Sequence, residues 1–185
     1  MRRLLIALAA ALPLIAGAAS AKNVCGSKAI TEKDEVRVFL GHYMAVCEDN
    51  GRCRAMTYQT DPKSGVPWTH RLAVMRDGKE ASWLIELTLD KGQIDVNEGY
   101  GLTIDQKPAL RVPPEAIKVP RAANDYYFNA DLNDVVLKDL AAGGNLTWNY
   151  VLAGTKDAGN ANMSLAGLRK SMRWITCMQN RQARG

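Results

Sequence analysis

The run Leu72-Ala73-Val74-Met75-Arg76-Asp77-Gly78-Lys79-Glu80-Ala81-Ser82-Trp83-Leu84-Ile85-Glu86-Leu87-Thr88-Leu89 decides the fold. Asp77-Gly78 is a two-residue hairpin signal. A turn centred there pairs Arg76 with Lys79, Val74 with Ala81 and Leu72 with Trp83. One face then reads Leu72, Val74, Ala81, Trp83, Ile85, Leu87, Leu89, with a clean period of two from Trp83 onward. Turn chemistry and hydrophobic alternation both require an antiparallel hairpin with one buried face.

Upstream, Cys47-Glu48-Asp49-Asn50-Gly51-Arg52-Cys53 reads as a second hairpin tip, because Asn-Gly is a strong turn signal. A two-residue Asn50-Gly51 turn would pair Cys47 with Arg54 and put the cysteines on opposite faces, where they cannot bond. A three-residue Asp49-Asn50-Gly51 loop pairs Cys47 with Cys53 and sets Gly51 at the left-handed position of a bulged loop. The hairpin then spans residues 42–47 and 53–59. Met44 faces Met56 and His42 faces Tyr58 on one side; Tyr43, Ala45, Ala55 and Thr57 share the other side with the cysteines.

The chain has four cysteines, which allow three connectivities. With Cys47–Cys53 the preferred bridge, Cys25 and Cys177 are left to pair. In the chain-entropy model the short bridge stabilises by about 2 kcal/mol and the long one by about 5 kcal/mol. The C-x5-C spacing is not that of a zinc knuckle, and His42 and His70 have no paired spacing, so neither a metal nor a cofactor is expected.

Met1-Arg2-Arg3, an uncharged stretch to about Ala19 and the triplet Ala19-Ser20-Ala21 form the pattern of a cleaved secretory signal over residues 1–21. Residues 22–185 then make one domain, and losing Arg2 and Arg3 lowers the formal charge from +5 to +3. No segment after the leader reaches the roughly 18 apolar residues of a spanning helix. Paired cysteines suit an oxidising compartment, so the expected location is the periplasm, reached by general export. The basic residues Arg169, Lys170, Arg173, Arg181 and Arg184 read as a solvated helix face. No nucleic-acid recognition motif is present.

Elsewhere, Thr31 is a candidate helix cap before Glu35. Strands are expected at Gln93–Val96, Leu102–Ile104, Ala109–Val112, Tyr126–Ala130 and Asn145–Ala153, and a flexible loop at Gly154–Asn162. One helix is expected from Leu132 to Ala142, capped by Asp131 or Asn133, with a stripe of Leu132, Val135, Val136 and Leu140. A second is expected from Leu165 to Gln179, with Leu165, Leu168, Met172 and Ile175 inward and Trp174 and Met178 flanking. The fold class is mainly β (α+β): an antiparallel β-sandwich or curved sheet with two helices late in the chain.

The sequence offers no catalytic residues. There is no G-x-S-x-G elbow and no phosphate loop. A triad would have to use His42 or His70, and Glu80 and Glu86 fall on the polar, solvated side of their hairpin. Among the aromatics Tyr43, Tyr58, Trp68, Tyr126, Tyr127 and Trp148, most belong to the core. Tyr126 and Tyr127 alternate, so one of them points outward as a candidate for a sugar- or peptide-binding face.

Three segments carry a family resemblance: Tyr43-Met44-Ala45-Val46-Cys47 with Cys53; Gly101-Leu102-Thr103-Ile104-Asp105 followed by Val112-Pro113; and Met163-Ser164-Leu165-Ala166-Gly167-Leu168 with Arg173-Trp174-Ile175 and Gln179 to Arg181. In these the chain resembles the exported alphaproteobacterial invasion-associated locus B proteins and related uncharacterised periplasmic domains. A second close cysteine pair found in the C-terminal half of those proteins is absent, so the resemblance points to a cousin. It implies a β-rich periplasmic or envelope protein with no known enzymatic activity, some relatives being linked to host-cell invasion, and it carries over no catalytic residues. The expected function is therefore non-enzymatic binding of a protein or cell-envelope component. The alternatives are an inhibitor or immunity protein presenting Asp61–Pro67 to a cell-wall hydrolase, and a hydrolase built on a histidine.

Overall fold

A computed structural model of the chain describes residues 21–60, 66–118, 124–128 and 130–184. The expected leader, apart from Ala21, and residues 61–65 of the Asp61–Pro67 loop lie outside the described residues.

Thirteen strands and two α-helices follow in order: β1 Ala21–Val24, β2 Ser27–Glu32, β3 Glu35–Leu40, β4 Tyr43–Glu48, β5 Arg52–Gln59, β6 His70–Asp77, β7 Leu84–Leu89, β8 Tyr100–Ile104, β9 Leu110–Val112, β10 Ile117–Lys118, β11 Asp125–Phe128, α1 Ala130–Ala142, β12 Asn145–Val151, β13 Ala158–Ser164 and α2 Leu168–Gln182. They form a nine-stranded antiparallel sheet, β1-β2-β3-β4-β5-β6-β7-β11-β10, and a four-stranded one, β13-β12-β8-β9. The mainly β reading with two late helices is thus correct.

Strand alternation gives the large sheet two distinct faces. Its inner face carries Tyr43, Ala45, Ala55, Leu72, Ile85 and Leu87, all at most 1% exposed. Against it lie α2, α1 and the small sheet, and their buried side chains join one continuous core. Trp148 anchors the seam between the sheets, within about 6 Å, ring to ring, of Tyr100, Tyr126, Tyr150 and His70.

Both disulfides form, Cys47–Cys53 and Cys25–Cys177. Cys47 pairs directly with Cys53 across the hairpin. Gly51 sits at φ +87° and its N–H donates to Glu48 O at 3.0 Å, so the three-residue loop is as the side-chain geometry requires. Met44 faces Met56 as expected, but the pairing ends there and His42 falls in the preceding turn. The second bridge ties the β1–β2 turn to α2, where Trp174 Nε1 also donates to Val24 O at 3.0 Å.

The second hairpin keeps its expected face and changes its register. Leu72 pairs with Leu87 and Val74 with Ile85, four residues beyond the expected partners, and residues 78–83 form a loop. A slip of four preserves which side chains point inward, because the strand period is two. Side chains outweigh the Asp-Gly signal here. Arg76 donates to the carbonyls of Lys79 and Ala81 and stacks on the Trp83 ring. Asn133 of α1 accepts from Ile85 N–H at 2.9 Å and donates to Trp83 O at 2.6 Å. That same use of Asn133 removes it as a helix cap.

Other expectations need correction. Thr31 caps no helix: it lies on β2, which turns through Lys33 at φ +51° into β3. Of Gln93–Val96, only Ile94 makes a bridge, to Leu152, and Val96–Glu98 is a single 3-10 turn. Gly154–Asn162 is not all loop, because Ala158–Ser164 pairs along β12 as an edge strand with its hydrophobic positions at Ala161 and Met163. In α1, Val135 is 56% exposed and Leu137 is buried instead. In α2, the buried stripe is Leu168, Ser171, Trp174, Ile175 and Met178, rotated from the expected one, while Met172 is half-buried. Its basic residues Arg169, Lys170, Arg173 and Arg181 are exposed, as a solvated face requires.

The β3–β4 turn meets the start of α2 backbone to backbone. His42 N–H donates to Ala166 O at 2.9 Å. A Cβ on Gly167 would fall 1.8 Å from Leu40 O, and one on Gly41 would fall 2.5 Å from Ala166 O.

Candidate functional site

The outer face of the large sheet, opposite the core, carries no helix or second sheet among the described residues. Register places its side chains in transverse rows. The central row runs Phe39, Met44, Met56, Ala73, Glu86, Tyr127, Lys118 across seven strands. Beside it on one flank run Val46, Arg54, Met75 and Leu84, and on the other Tyr58, Arg71, Thr88 and Asp125. A groove of about 350 Å³ follows the middle of these rows.

The rows change character along their length. Toward β3–β6, Val46, Met56 and Ala73 are buried and Met44 and Met75 pack on them, forming a small apolar cluster separate from the core. The row ends at Phe39, which is 64% exposed. Toward β7–β11 the groove becomes polar. Glu86 is 4% exposed, and an isolated buried carboxylate is costly. Arg71 Nη2 meets Glu86 Oε1 at 2.6 Å, Thr88 Oγ1 at 3.0 Å and Asp125 Oδ1 at 3.4 Å. Thr88 Oγ1 donates to Asp125 Oδ1 at 2.7 Å, and the Tyr127 hydroxyl donates to Glu86 Oε2. Burial, and then the bond to Glu86, push the Tyr127 hydroxyl well above the ordinary tyrosine range, so it stays a donor. The Arg71 guanidinium lies 5.7 Å from the Trp68 ring, and Trp68 in turn packs on Tyr58.

Of the alternating tyrosines, Tyr127 points into this groove and Tyr126 into the core, where its hydroxyl accepts from Ile94 N–H. Tyr43 and Trp148 are core residues. Glu80 is exposed as expected; Glu86 is not solvated, and its burial between Arg71 and Tyr127 corrects that reading. His70 lies at the inter-sheet seam, with Nε2 2.7 Å from Tyr150 Oη and Nδ1 3.0 Å from Thr69 Oγ1. Both partners are hydroxyls, so the carboxylate of a triad is missing from its ring contacts among the described residues. His42 is exposed in the β3–β4 turn, on another part of the fold. The groove itself was missed. Its signal lay in three methionines on the supposedly polar parity of β4, β5 and β6, at Met44, Met56 and Met75.

No protein-family model and no curated protein matches the chain. Among solved structures, the fold is similar to the crystal structure of invasion associated protein B from Bartonella henselae, with TM-score 0.59 and 16% sequence identity over 78% of this chain and 98% of that one. The likeness in fold agrees with the resemblance read from the three sequence segments.

Proposed function

We propose that this chain is an exported envelope protein that acts by binding rather than by catalysis, and that the outer-face groove is its contact surface. One observation carries the reading: side chains as polar as Glu86 and as apolar as Met56 are both nearly buried on a sheet face that no helix or second sheet covers among the described residues. Such a mixture of an apolar floor and a few convergent polar groups is the composition of recognition sites. Two disulfides that close every cysteine support export to an oxidising compartment. The similarity in fold to invasion associated protein B supports a role in host association.

The test is a groove variant in the living cell. Phe39→Glu with Tyr127→Ala alters the apolar end and the polar stretch of the central row without touching the core. The expected outcome is a correctly folded, exported protein whose cells lose host invasion or envelope integrity as the gene deletion does. Full activity of the variant in both assays would remove the groove as the working surface.

A further inference from the structure

The groove holds a concentration of one kind of donor. Apart from Met1, the chain has six methionines, and three of them, Met44, Met56 and Met75, line this groove from three adjacent strands. Met44 and Met56 are direct cross-strand partners, which brings their Cβ atoms to about 5 Å. Met75 stands one row away on β6, diagonal to Met56. Met56 Sδ already accepts a hydrogen bond from Tyr58 Oη at 2.8 Å, so a sulfur lone pair points toward Tyr58, which is 38% exposed and packs on Trp68. No thiol competes, because all four cysteines are in disulfides. Thioether sulfur is a poor ligand for hard cations and a selective one for Cu(I). Of the charges along the groove, Arg52 is paired with Asp77 and Arg71 with Glu86, while Arg54 is the cross-strand partner of Met75.

We infer that Met44, Met56 and Met75 form a three-thioether site for a soft monovalent ion, Cu(I). The expectation of no metal considered thiolates and imidazoles; the thioethers are brought together only by the sheet register. The ion sits over the apolar half of the groove, with Tyr58 as the side chain displaced on binding. This assigns a ligand to the surface proposed above and rests on that groove being a binding site.

Silver ion, a redox-inert stand-in for Cu(I), avoids the reductant that would open the disulfides. Titrating silver nitrate into the full, oxidised protein in chloride-free buffer, with the methionine methyl groups carbon-13 labelled, should saturate at one equivalent. The Met44, Met56 and Met75 methyl signals should move while those of Met163, Met172 and Met178 stay in place. Met56→Leu, a volume-conserving change, should weaken binding at least about tenfold, and Met172→Leu should leave it unchanged. Absence of saturable binding, shifts centred on other methionines, or equal affinity in the Met44→Leu, Met56→Leu, Met75→Leu triple variant would each overturn the site. If the leucine variants do not fold, the methyl shifts of the unaltered protein decide alone. A protein that binds silver here while groove variants invade normally keeps the metal site and loses the contact-surface reading.

Discussion

Glu86 and Leu87 are neighbours on β7 and nearly equally buried, at 4% and 1%, yet they face opposite sides of the same sheet. Leu87 joins the core, where removal from water is itself the driving force. Glu86 gains nothing from leaving water, and the bonds from Arg71 and Tyr127 offset that cost. The inner face is built for stability. The outer face spends part of that stability on arranging polar groups in the groove.

The inner side should therefore give the largest effects. Replacing Cys25 and Cys177 by alanine releases the loop that closes the β1–β2 turn onto α2, and a urea titration should show a loss of about 5 kcal/mol. A loss under about 1 kcal/mol would mean that the noncovalent core fixes that geometry alone. Leu87→Ala should cost about 2–5 kcal/mol as a cavity in the core.

On the outer face a single change and a double change should differ in kind. Glu86→Leu leaves Arg71 with Asp125 and partial solvent, so it should destabilise by about 1–2 kcal/mol. Adding Arg71→Met should bring stability back to within about 1 kcal/mol of the starting protein. If the double variant is less stable than the single one, the network is a structural element like the core, and the contrast between the faces fails.

The smallest effect belongs to the seam between the sheets. Burial lowers the pKa of His70, so the unfolded chain takes up its proton first as pH falls. Stability is then complete above the ordinary histidine value of about 6.5 and declines below it. Thermal melts between pH 7 and pH 5 should show this decline, and His70→Gln should flatten it.

How much of this was legible in the sequence differs by region. The tip of the Cys47–Cys53 hairpin was readable, because a bond between two side chains admits one loop length, whereas the expected His42–Tyr58 pair does not form. The Leu72–Leu89 hairpin was readable as to face but not as to register: the Arg76–Trp83 stack and the Asn133 bridge come from contacts that no local pattern announces. Strand β13 was hidden because it has only two buried apolar side chains and two asparagines, Asn160 and Asn162, on its exposed side. The groove was hidden for a related reason. Arg71, Glu86 and Tyr127 alternate with core residues and look solvated until the sheet sets them side by side.

The contact between Gly41 and Gly167 places a demand on ancestry. Neither position accepts even a methyl group, because backbone oxygen of the other segment already occupies that space. The two codons are thereby bound to a shared fate: a change at one gains nothing from a change at the other. Distant members of the lineage, after most other positions have drifted, should still carry both glycines, and the joint presence of the two would mark kinship where overall identity no longer does.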